Sequence, residues 1–185
     1  MKNVLIVYGT RYGASANTSD EIATTLRHKG LTVKVVDAKK EKIKDISSFD
    51  LVIVGSGIQI NRWTGEPEDF LKKFQNQLTT KKVALFVCCG SASQLDSEKS
   101  KDLANIKNKY LGEKATKYNL TPLALGFFGG VYNFNKVPWW SKKVMDAERP
   151  KIEAAYKQTE PNVFDTRNLD EIHKWAMDLA QIVQS

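Results

Sequence analysis

The sequence predicts a three-layer α/β fold built on a parallel sheet. Short apolar segments without polar alternation are typical of strands buried on both faces, and here they alternate along the chain with amphipathic segments of helical periodicity. This alternation indicates repeated strand–helix–strand units, in which helices cover both faces of the sheet. The five strand candidates are Val4–Tyr8, Thr32–Val36, Leu51–Gly55, Val83–Cys88 and Pro122–Phe128.

The first two helices are predicted from their apolar faces and from residues that start or stop helices. The helix after the first strand buries Ile22, Ala23 and Leu26 and ends at Gly30, because glycine is a common C-terminal cap. The helix after the third strand begins near Glu66-Pro67, since proline is well tolerated at the first helical position.

Two more helices complete the pattern. A lysine-rich helix follows the fourth strand, and a last helix is capped within Asp165–Asn168. Each helix that joins two parallel strands is expected to cross over right-handedly. The apolar stripes of the last three helices are, in chain order, Phe70, Leu71, Phe74 and Leu78; Leu103, Ile106, Tyr110 and Leu111; and Ile172, Trp175, Leu179 and Ile182.

Residues 129–161 do not fit a plan of five repeats, and we interpret them as an insertion after strand five. No linker-like composition marks a second domain, so we expect one domain over residues 1–185. The aromatic residues of the insertion either pack on the domain's own sheet or form an amphipathic patch suited to an anionic membrane surface. These residues are Tyr132, Phe134, Trp139 and Trp140, with Lys136, Lys142 and Lys143 beside them.

The formal charge of +7 is concentrated in two segments. Residues 99–117 carry six lysines and two acids, and residues 136–157 carry six Lys or Arg and three acids. A local positive field attracts anionic small molecules, acidic proteins or anionic lipid, although lysine-rich helix faces need no partner. No nucleic-acid-binding signature accompanies these segments, so we expect no nucleic-acid partner.

The spacing of the cysteines argues against a disulfide or a metal site, and the lengths of the apolar runs argue against a membrane-spanning helix. Cys88 and Cys89 are adjacent, a spacing unsuited to a structural disulfide or to the usual zinc ligand pairs, and with two histidines no metal site is expected. The longest apolar run, Val83–Cys89, is far shorter than the roughly 20 residues of a membrane-spanning helix. The first apolar stretch is too brief for a signal peptide, so we expect a cytoplasmic protein. No hydrolytic constellation is recognisable, and no catalytic residue is assigned.

The loop after the first strand, Gly9-Thr10-Arg11-Tyr12-Gly13-Ala14-Ser15, has the composition of a phosphate-binding turn. Such a turn presents unpaired N–H groups at the positive end of a helix, although an ordinary capped turn explains the same composition. The loop lacks the lysine pattern of nucleoside triphosphatases, and Gly9 and Gly13 do not have the spacing of an NAD-binding loop. Tyr8-Gly9 and Gly55-Ser56 stand where a phosphoacceptor receiver domain needs acids.

These residues resemble the phosphate loop of flavodoxins. Thr10-Arg11-Tyr12-Gly13-Ala14-Ser15 is similar to the flavodoxin pattern Ser/Thr-x-Thr/Tyr-Gly-x-Ser/Thr, which holds the ribityl phosphate of FMN. The resemblance implies FMN as the cofactor and a flavodoxin-like fold whose five-stranded sheet has the order 2-1-3-4-5. It also implies that loops after strands three and four sandwich the flavin ring. The implied cofactor-binding residues are Thr10, Arg11, Tyr12, Gly13, Ala14, Ser15, Ser56, Gly57, Ile58, Gln59, Cys89, Gly90 and Ser91.

The loop after strand three departs from the common flavodoxin pattern. Gln59 stands where many flavodoxins have an aromatic residue that stacks on the flavin. Trp63 either reaches the ring from farther along the loop or covers the helix that begins at Glu66. The resemblance further implies that backbone groups of Ser56-Gly57-Ile58 bond the edge of the ring, and that the peptide at Gly57 turns over on reduction.

Within flavodoxins, the sequence is most similar to the menaquinone-dependent protoporphyrinogen dehydrogenase branch. The likeness rests on Thr10–Gly13, Gly55–Ile58, a basic composition, and an insertion with Tyr132 and Trp139-Trp140. It implies a quinone or a porphyrinogen as a reactant, and the insertion would then cover a flat, carboxylate-bearing substrate. The amphipathic patch of the insertion further raises a peripheral location, in the cytoplasm at the inner face of the membrane.

Two functions follow from these resemblances. The first is an FMN-binding electron-transfer protein that exchanges electrons with a redox protein or a quinone. The second is an enzyme, a flavin-dependent dehydrogenase or quinone reductase. Apart from the resemblances, a third class of function is an interaction module that binds no flavin. If the basic segments lie near the ring, we expect a higher flavin reduction potential than in typical, acidic flavodoxins.

Overall fold

The computed structural model describes residues 1–92, 100–137, 139 and 142–185. Its central sheet contains β1 (Asn3–Gly9), β2 (Thr32–Asp37), β3 (Leu51–Gln59), β4 (Arg62–Trp63), β5 (Lys82–Cys88) and β6 (Ala124–Phe128). Five of these strands are parallel and lie in the order β2-β1-β3-β5-β6, whereas β4 pairs antiparallel with the end of β3. The predicted α/β architecture with a parallel sheet is therefore confirmed.

The predicted count of five strands is wrong, because β4 adds a sixth strand to the sheet. The predicted order 2-1-3-4-5 becomes β2-β1-β3-β5-β6 once β4 is numbered. A two-residue turn at Ile60 and Asn61, with φ of 50° and 58°, folds β4 back on β3. Turns of this kind usually carry Asn-Gly, so a turn without glycine gives no sequence signal for the hairpin.

Helices cover both faces of the sheet. They are α1 (Ala14–His28), α2 (Gly65–Leu78), α3 (Ser100–Lys107), α4 (Glu113–Lys117), α5 (Lys142–Ala155) and α6 (Leu169–Gln184), with a five-residue π-helical segment, Asn108–Gly112, between α3 and α4. In β1, Leu5 and Val7 pack with α2 and the π segment, whereas Val4 and Ile6 pack with α1 and α6. Successive residues of a strand point to opposite faces, so a strand covered on both faces is apolar throughout.

The last helix is rotated relative to its predicted stripe. Ile172 and Leu179 are fully buried as expected, but Ile182 is 42% exposed. Ala176 and Ala180 lie on the buried face instead, because small residues let α6 approach α1 and the sheet closely. The predicted cap is confirmed at Asn168, whose side-chain oxygen accepts hydrogen bonds from the first-turn amides of α6.

The insertion forms a second, antiparallel sheet that the sequence analysis does not predict. Its strands are β7 (Val131–Asn133), β8 (Gln158–Glu160) and β9 (Val163–Asp165), in the order β7-β9-β8, and α5 lies between β7 and β8. The structure thus extends the inserted unit to Asp165, four residues beyond the predicted boundary.

The aromatic residues of the insertion have different environments. Phe134 packs edge-on against Phe164, with ring centroids 5.9 Å apart, whereas Trp139 is 87% exposed. Pro138 and Trp140 lie outside the described residues. Within α5, Lys142 pairs with Asp146 and Arg149 with Glu153, so ion pairs offset part of the positive charge of this segment.

Glu68 links α2 to α4 and gives the fold a testable pH dependence. Its Oε1 lies 2.9 Å from Lys114 Nζ and 2.6 Å from Lys117 Nζ, and it accepts a hydrogen bond from the Tyr118 hydroxyl. Burial works to raise the pKa of Glu68, but the hydrogen bonds from both lysines outweigh it and lower the pKa from 4.5 to about 2. The cluster therefore contributes stability above about pH 4.5 that is lost as the pH falls toward about 2.

Glu68→Gln should lower the free energy of unfolding at pH 7 by about 1 kcal/mol, because two lysines lose a partly buried charge partner. Urea titrations at pH 7 and pH 3 would measure the difference between variant and wild type, which should shrink at pH 3. Glu153→Gln, in the exposed pair with Arg149, is the control and should change stability less. A difference for Glu68→Gln that is equal at both pH values would contradict the expectation.

Candidate functional site

A narrow cleft opens at the carboxyl ends of β1, β3 and β5. Doubly wound sheets bind ligands at this edge, next to the point where the strand order reverses, which lies between β1 and β3 here. The cleft encloses about 60 Å³, which is room for a phosphate-sized group rather than for a whole flavin nucleotide. Its lining residues are Thr10, Arg11, Tyr12, Ala14, Ser15, Gly57, Ile58, Gln59, Cys88, Cys89, Gly90, Gly130 and Val131.

The loop between β1 and α1 leaves the start of α1 open to an anion. The Gly13 amide donates to Thr10 Oγ1 at 2.9 Å, and Gly13 has φ of 93°, a left-handed conformation that favours glycine. Among the described residues, no side chain caps α1 and no acid occupies its first turn, whereas Asn168 caps α6. The first-turn amides of α1 are therefore available to a bound anion.

Ser15 carries a buried hydroxyl beside this helix start. The residue is fully buried, and its Oγ has no hydrogen-bond partner among the described residues. The Cys88 thiol is near, but the two groups do not meet hydrogen-bond geometry. A Cβ added at Gly57 would stand 3.4 Å from Ser15 Oγ, which places the hydroxyl beside the end of β3. The end of β3 and the hairpin turn after it, residues 56–63, are called the β3 loop below. A buried hydroxyl without a partner is costly, and a phosphate oxygen would satisfy it.

Arg11 connects the phosphate loop to the start of α2. Its guanidinium lies 3.1 Å from a Glu66 carboxylate oxygen and also donates to the Thr10 carbonyl at 3.3 Å. Burial opposes ionisation of Glu66, but hydrogen bonds from its own backbone amide and from Arg11 prevail and lower its pKa. Arg11 is the one cation of the described cleft lining, which contains no carboxylate.

The start of the β3 loop is held by Ser56. Its hydroxyl donates to the Gly57 carbonyl at 2.9 Å and accepts from the Thr64 amide at 2.9 Å, and Thr64 Oγ1 lies 3.1 Å away. The Ser56 side chain is thus engaged in joining β3 to the start of α2. Ser56 does not line the cleft, and neither does Gly13, which shapes the loop behind it.

The far end of the β3 loop is anchored on the π-helical segment. Tyr110 donates its hydroxyl hydrogen to Asn61 Oδ1 at 2.9 Å, and its carbonyl accepts from Trp63 Nε1 at 2.8 Å. Trp63 is only 6% exposed, with Lys114 Nζ 5.5 Å from its ring centroid. Of the two roles considered for Trp63, covering the neighbouring helices is the one that the structure shows.

The loop after β5 completes the cleft. The Cys89 amide donates to the Phe128 carbonyl at 3.0 Å, and a short 3₁₀ turn, Gly90–Ala92, follows. A Cβ at Gly90 would lie 2.0 Å from the Tyr132 hydroxyl, so a side chain at position 90 would displace the Tyr132 ring from this loop. Burial raises the pKa of the Cys88 thiol to about 11, although its hydrogen bond to Thr18 opposes the shift. Cys88 is therefore a structural thiol at neutral pH.

Most of the residues expected at the site lie together. Ten of the thirteen line the cleft, and the exceptions are Gly13, Ser56 and Ser91, whose side chain is outside the described set. Gly130 and Val131 are lining residues that the sequence analysis missed. They follow β6, the neighbour of β5, so the expected strand order would have placed them here.

These features define a nucleotide-phosphate-binding α/β protein. They are the open start of α1, the left-handed Gly13 and the unsatisfied buried hydroxyl of Ser15, all at the point where the strand order of the sheet reverses. A profile of the flavodoxin domain family matches residues 5–159, and the chain belongs to that family. The matched family is the flavodoxin domain as a whole, and nothing confirms the protoporphyrinogen dehydrogenase branch. No curated protein sequence matches the chain significantly.

Solved structures show the same fold at low sequence identity. Rubredoxin oxygen:oxidoreductase from Desulfovibrio gigas has a TM-score of 0.59 and 16% identity over all of this chain, which covers 36% of that protein. A flavodoxin from the domain Archaea has a TM-score of 0.58 and 15% identity over 99% of both chains. Two-electron reduced Megasphaera elsdenii flavodoxin has a TM-score of 0.53 and 18% identity over 95% of this chain and 98% of its own.

FMN is the cofactor of this family, and the cleft fits its phosphate. The open amides at the start of α1, the Thr10 hydroxyl and the Ser15 hydroxyl are the donors that would hold that phosphate. The backbone of Gly57, Ile58 and the β5 loop would border the flavin ring. The described part of the chain has no cluster of side chains suited to a metal ion.

Proposed function

We propose that the protein is an FMN-dependent electron carrier that exchanges electrons with a redox protein or a quinone. The observation that carries this proposal is the phosphate-binding start of α1, with the Ser15 hydroxyl buried beside it and left without a partner among the described residues. Bound FMN supplies the redox chemistry, and the protein supplies position and electrostatic environment.

The chain's own groups have separate roles in this proposal. The loop Thr10–Ser15 binds the phosphate, and Ser56 holds the β3 loop in the conformation that borders the ring. Gln59 adds a polar side chain at the cleft where many flavodoxins have an aromatic one. The peptide that follows Gly57 is the backbone unit whose orientation responds to protonation of the flavin.

Purification followed by visible absorption spectroscopy tests the cofactor directly, because bound flavin gives a yellow protein. Apoprotein is then titrated with FMN and with riboflavin, and flavin fluorescence is the signal. Tight FMN binding with much weaker riboflavin binding is the expected result, since riboflavin lacks the phosphate. Equal affinity for the two flavins would contradict the role given to the start of α1.

Arg11→Gln should lower the reduction potential of the bound flavin by on the order of 40 mV, because a cation beside the cleft favours added negative charge. The lining has a cation, and the carboxylate that pairs with it, Glu66, lies outside the lining, so the wild-type potential should lie above that of acidic flavodoxins. Spectroelectrochemical titration measures both values. The control is Arg27→Gln, which removes the same charge at the other end of α1 and should leave the potential unchanged. A wild-type potential as low as that of acidic flavodoxins would refute the expectation.

A flavin-dependent dehydrogenase or quinone reductase, as in the protoporphyrinogen dehydrogenase branch, is the second candidate. One observation favours it: a polar cavity of about 520 Å³ adjoins the β5 loop and holds space for an organic substrate. Ala92, Gly129, Tyr156 and the start of α6 line this cavity. Turnover of a porphyrinogen with menaquinone distinguishes the enzyme from a carrier, which would only exchange electrons with a reductase.

An anionic membrane surface is a further partner that the insertion favours. Trp139 is almost fully exposed and close in sequence to Lys142 and Lys143, which are exposed as well. No helix in the described ranges has the length and apolar content needed to cross a bilayer. Co-sedimentation with anionic liposomes at low salt tests a peripheral location at the inner face of the membrane. Absence of binding would contradict that location.

A further inference from the structure

Arg167 lies behind the phosphate loop, where it also lines the polar cavity beside the β5 loop. It lies between β9 and α6, and its side chain is only 7% exposed. Asp165 pairs with it through contacts of 2.6 Å to Nη2 and 2.9 Å to Nε, and the Asp165 carboxylate also accepts from the Arg167 amide. The guanidinium is therefore held in one orientation by a carboxylate of the inserted sheet.

The other side of the guanidinium faces the first two turns of α1. Arg167 Nη1 lies 3.3 Å from Thr18 Oγ1 and 3.5 Å from the Ala14 carbonyl oxygen. Thr18 also accepts from the Cys88 thiol at 3.3 Å, so the cation, α1 and the end of β5 form one buried cluster. Ser15, with its unsatisfied hydroxyl, lies between Ala14 and Thr18 on the same helix.

The negative charge of Asp165 does not fully cancel the positive charge of Arg167 at the phosphate loop. The Asp165 side chain is 27% exposed, so water screens the carboxylate more than the buried guanidinium. The cation is also the member of the pair that faces α1, about one helical turn (roughly 5 Å) from the open first-turn amides. The positive potential of the helix start is thus reinforced from behind.

We infer that Arg167 is a positioning residue for the cofactor: its guanidinium orients the first turn of α1 and adds positive potential behind the site of the FMN phosphate. The inference rests on FMN as the cofactor and goes beyond it, because Arg167 lies outside the cleft lining and belongs to the segment after the inserted sheet. A residue with this role discriminates between flavins with and without a phosphate. A residue that only supported the fold would affect both flavins alike.

The test compares FMN with riboflavin on the apoprotein. Arg167→Met should weaken FMN binding about tenfold, equivalent to about 1.4 kcal/mol, and change riboflavin binding less than about twofold. Arg167→Lys, which keeps the charge, should stay within about threefold of wild type for FMN. Flavin fluorescence gives the affinities, and urea unfolding of each apoprotein checks the fold. An equal loss for both flavins, or no loss for either, would overturn the inference.

Two further variants keep the test decisive if Arg167→Met does not fold. Asp165→Asn removes the opposing charge but keeps a side-chain oxygen that can accept from the guanidinium, so FMN should bind as tightly as to wild type or up to about threefold more tightly. A purely structural pair predicts instead that Asp165→Asn weakens both flavins. Arg27→Met is the matched control, because it removes an exposed cation at the opposite end of the same helix and should change neither affinity. If the wild-type protein does not bind FMN, the proposed cofactor is wrong. If the wild-type protein binds FMN and all variants bind it equally well, only the role of Arg167 is refuted.

Discussion

Ser15→Ala should stabilise the apoprotein and weaken its binding of FMN. The Ser15 hydroxyl is buried and has no hydrogen-bond partner among the described residues, so its removal ends a desolvation cost of about 1 kcal/mol. The same hydroxyl is a donor for a charged phosphate, and its loss should weaken FMN about tenfold or more. Urea unfolding of the apoprotein and fluorescence titration with FMN measure the two effects.

Ser19→Ala is the matched control for this prediction. Ser19 is also buried on α1, one turn farther along, but its hydroxyl already donates to the Ser15 carbonyl at 2.8 Å. Its replacement should leave FMN affinity unchanged and should not stabilise the apoprotein. If Ser15→Ala instead lowers stability and affinity together, the hydroxyl has a protein partner in solution and serves the fold rather than the phosphate.

Gly55→Ala should cause the largest loss of stability, about 3 kcal/mol. Gly55 lies in β3, between β1 and β5, and a Cβ there would stand 2.0 to 2.6 Å from three ring atoms of Phe86. Phe86 cannot move away easily, because its ring packs against Phe128 and Trp175 with centroid distances of 6.0 and 6.5 Å. Urea or thermal unfolding measures the loss.

A smaller residue at position 86 should recover part of this loss. In a double-mutant cycle, Gly55→Ala with Phe86→Leu should be more stable than the sum of the single changes predicts, because the clash is shared by the pair. Gly65→Ala is the control, since a Cβ at Gly65 meets no atom within 4 Å and its φ is not left-handed. Stability should then stay the same or rise by up to about 1 kcal/mol. A Gly55→Ala protein as stable as Gly65→Ala would show that the sheet relaxes around the new methyl group.

The elements that sequence reasoning predicts well are those with enough residues to show a period. The buried strands and the apolar faces of α1 and α2 are of this kind, with Phe70, Leu71, Phe74 and Leu78 all buried as expected. Three-residue strands such as β7 and β9 are too short to show alternation, so the second sheet was missed. In α6, alanine is only weakly apolar, so the sequence pattern places the buried stripe on Ile182 although Ala176 and Ala180 are the buried residues.

The cleft was predictable because parallel strands bring their carboxyl ends to one edge, which joins loops distant in sequence. Residues from outside those loops were not predictable in the same way. Arg167 stands 153 residues from Ala14 and reaches α1 only because β9 pairs with β7. Lone charged residues before a helix cap carry no sign of burial, so no local pattern marks Arg167 as part of the site.

The two anchors of the β3 loop determine how much of it can rearrange. Ser56 is tied to Thr64 and the Asn61 side chain to Tyr110, while Gly57 pairs with Cys88 of β5 and Ile58 with Trp63 of β4. Rotation of the peptide after Gly57 would therefore break the contact between the Ser56 hydroxyl and the Gly57 carbonyl and would disturb the pairing of β3 with both neighbouring strands. The end of β3 that borders the cleft is therefore a braced strand end, held by two neighbouring strands and two side-chain anchors.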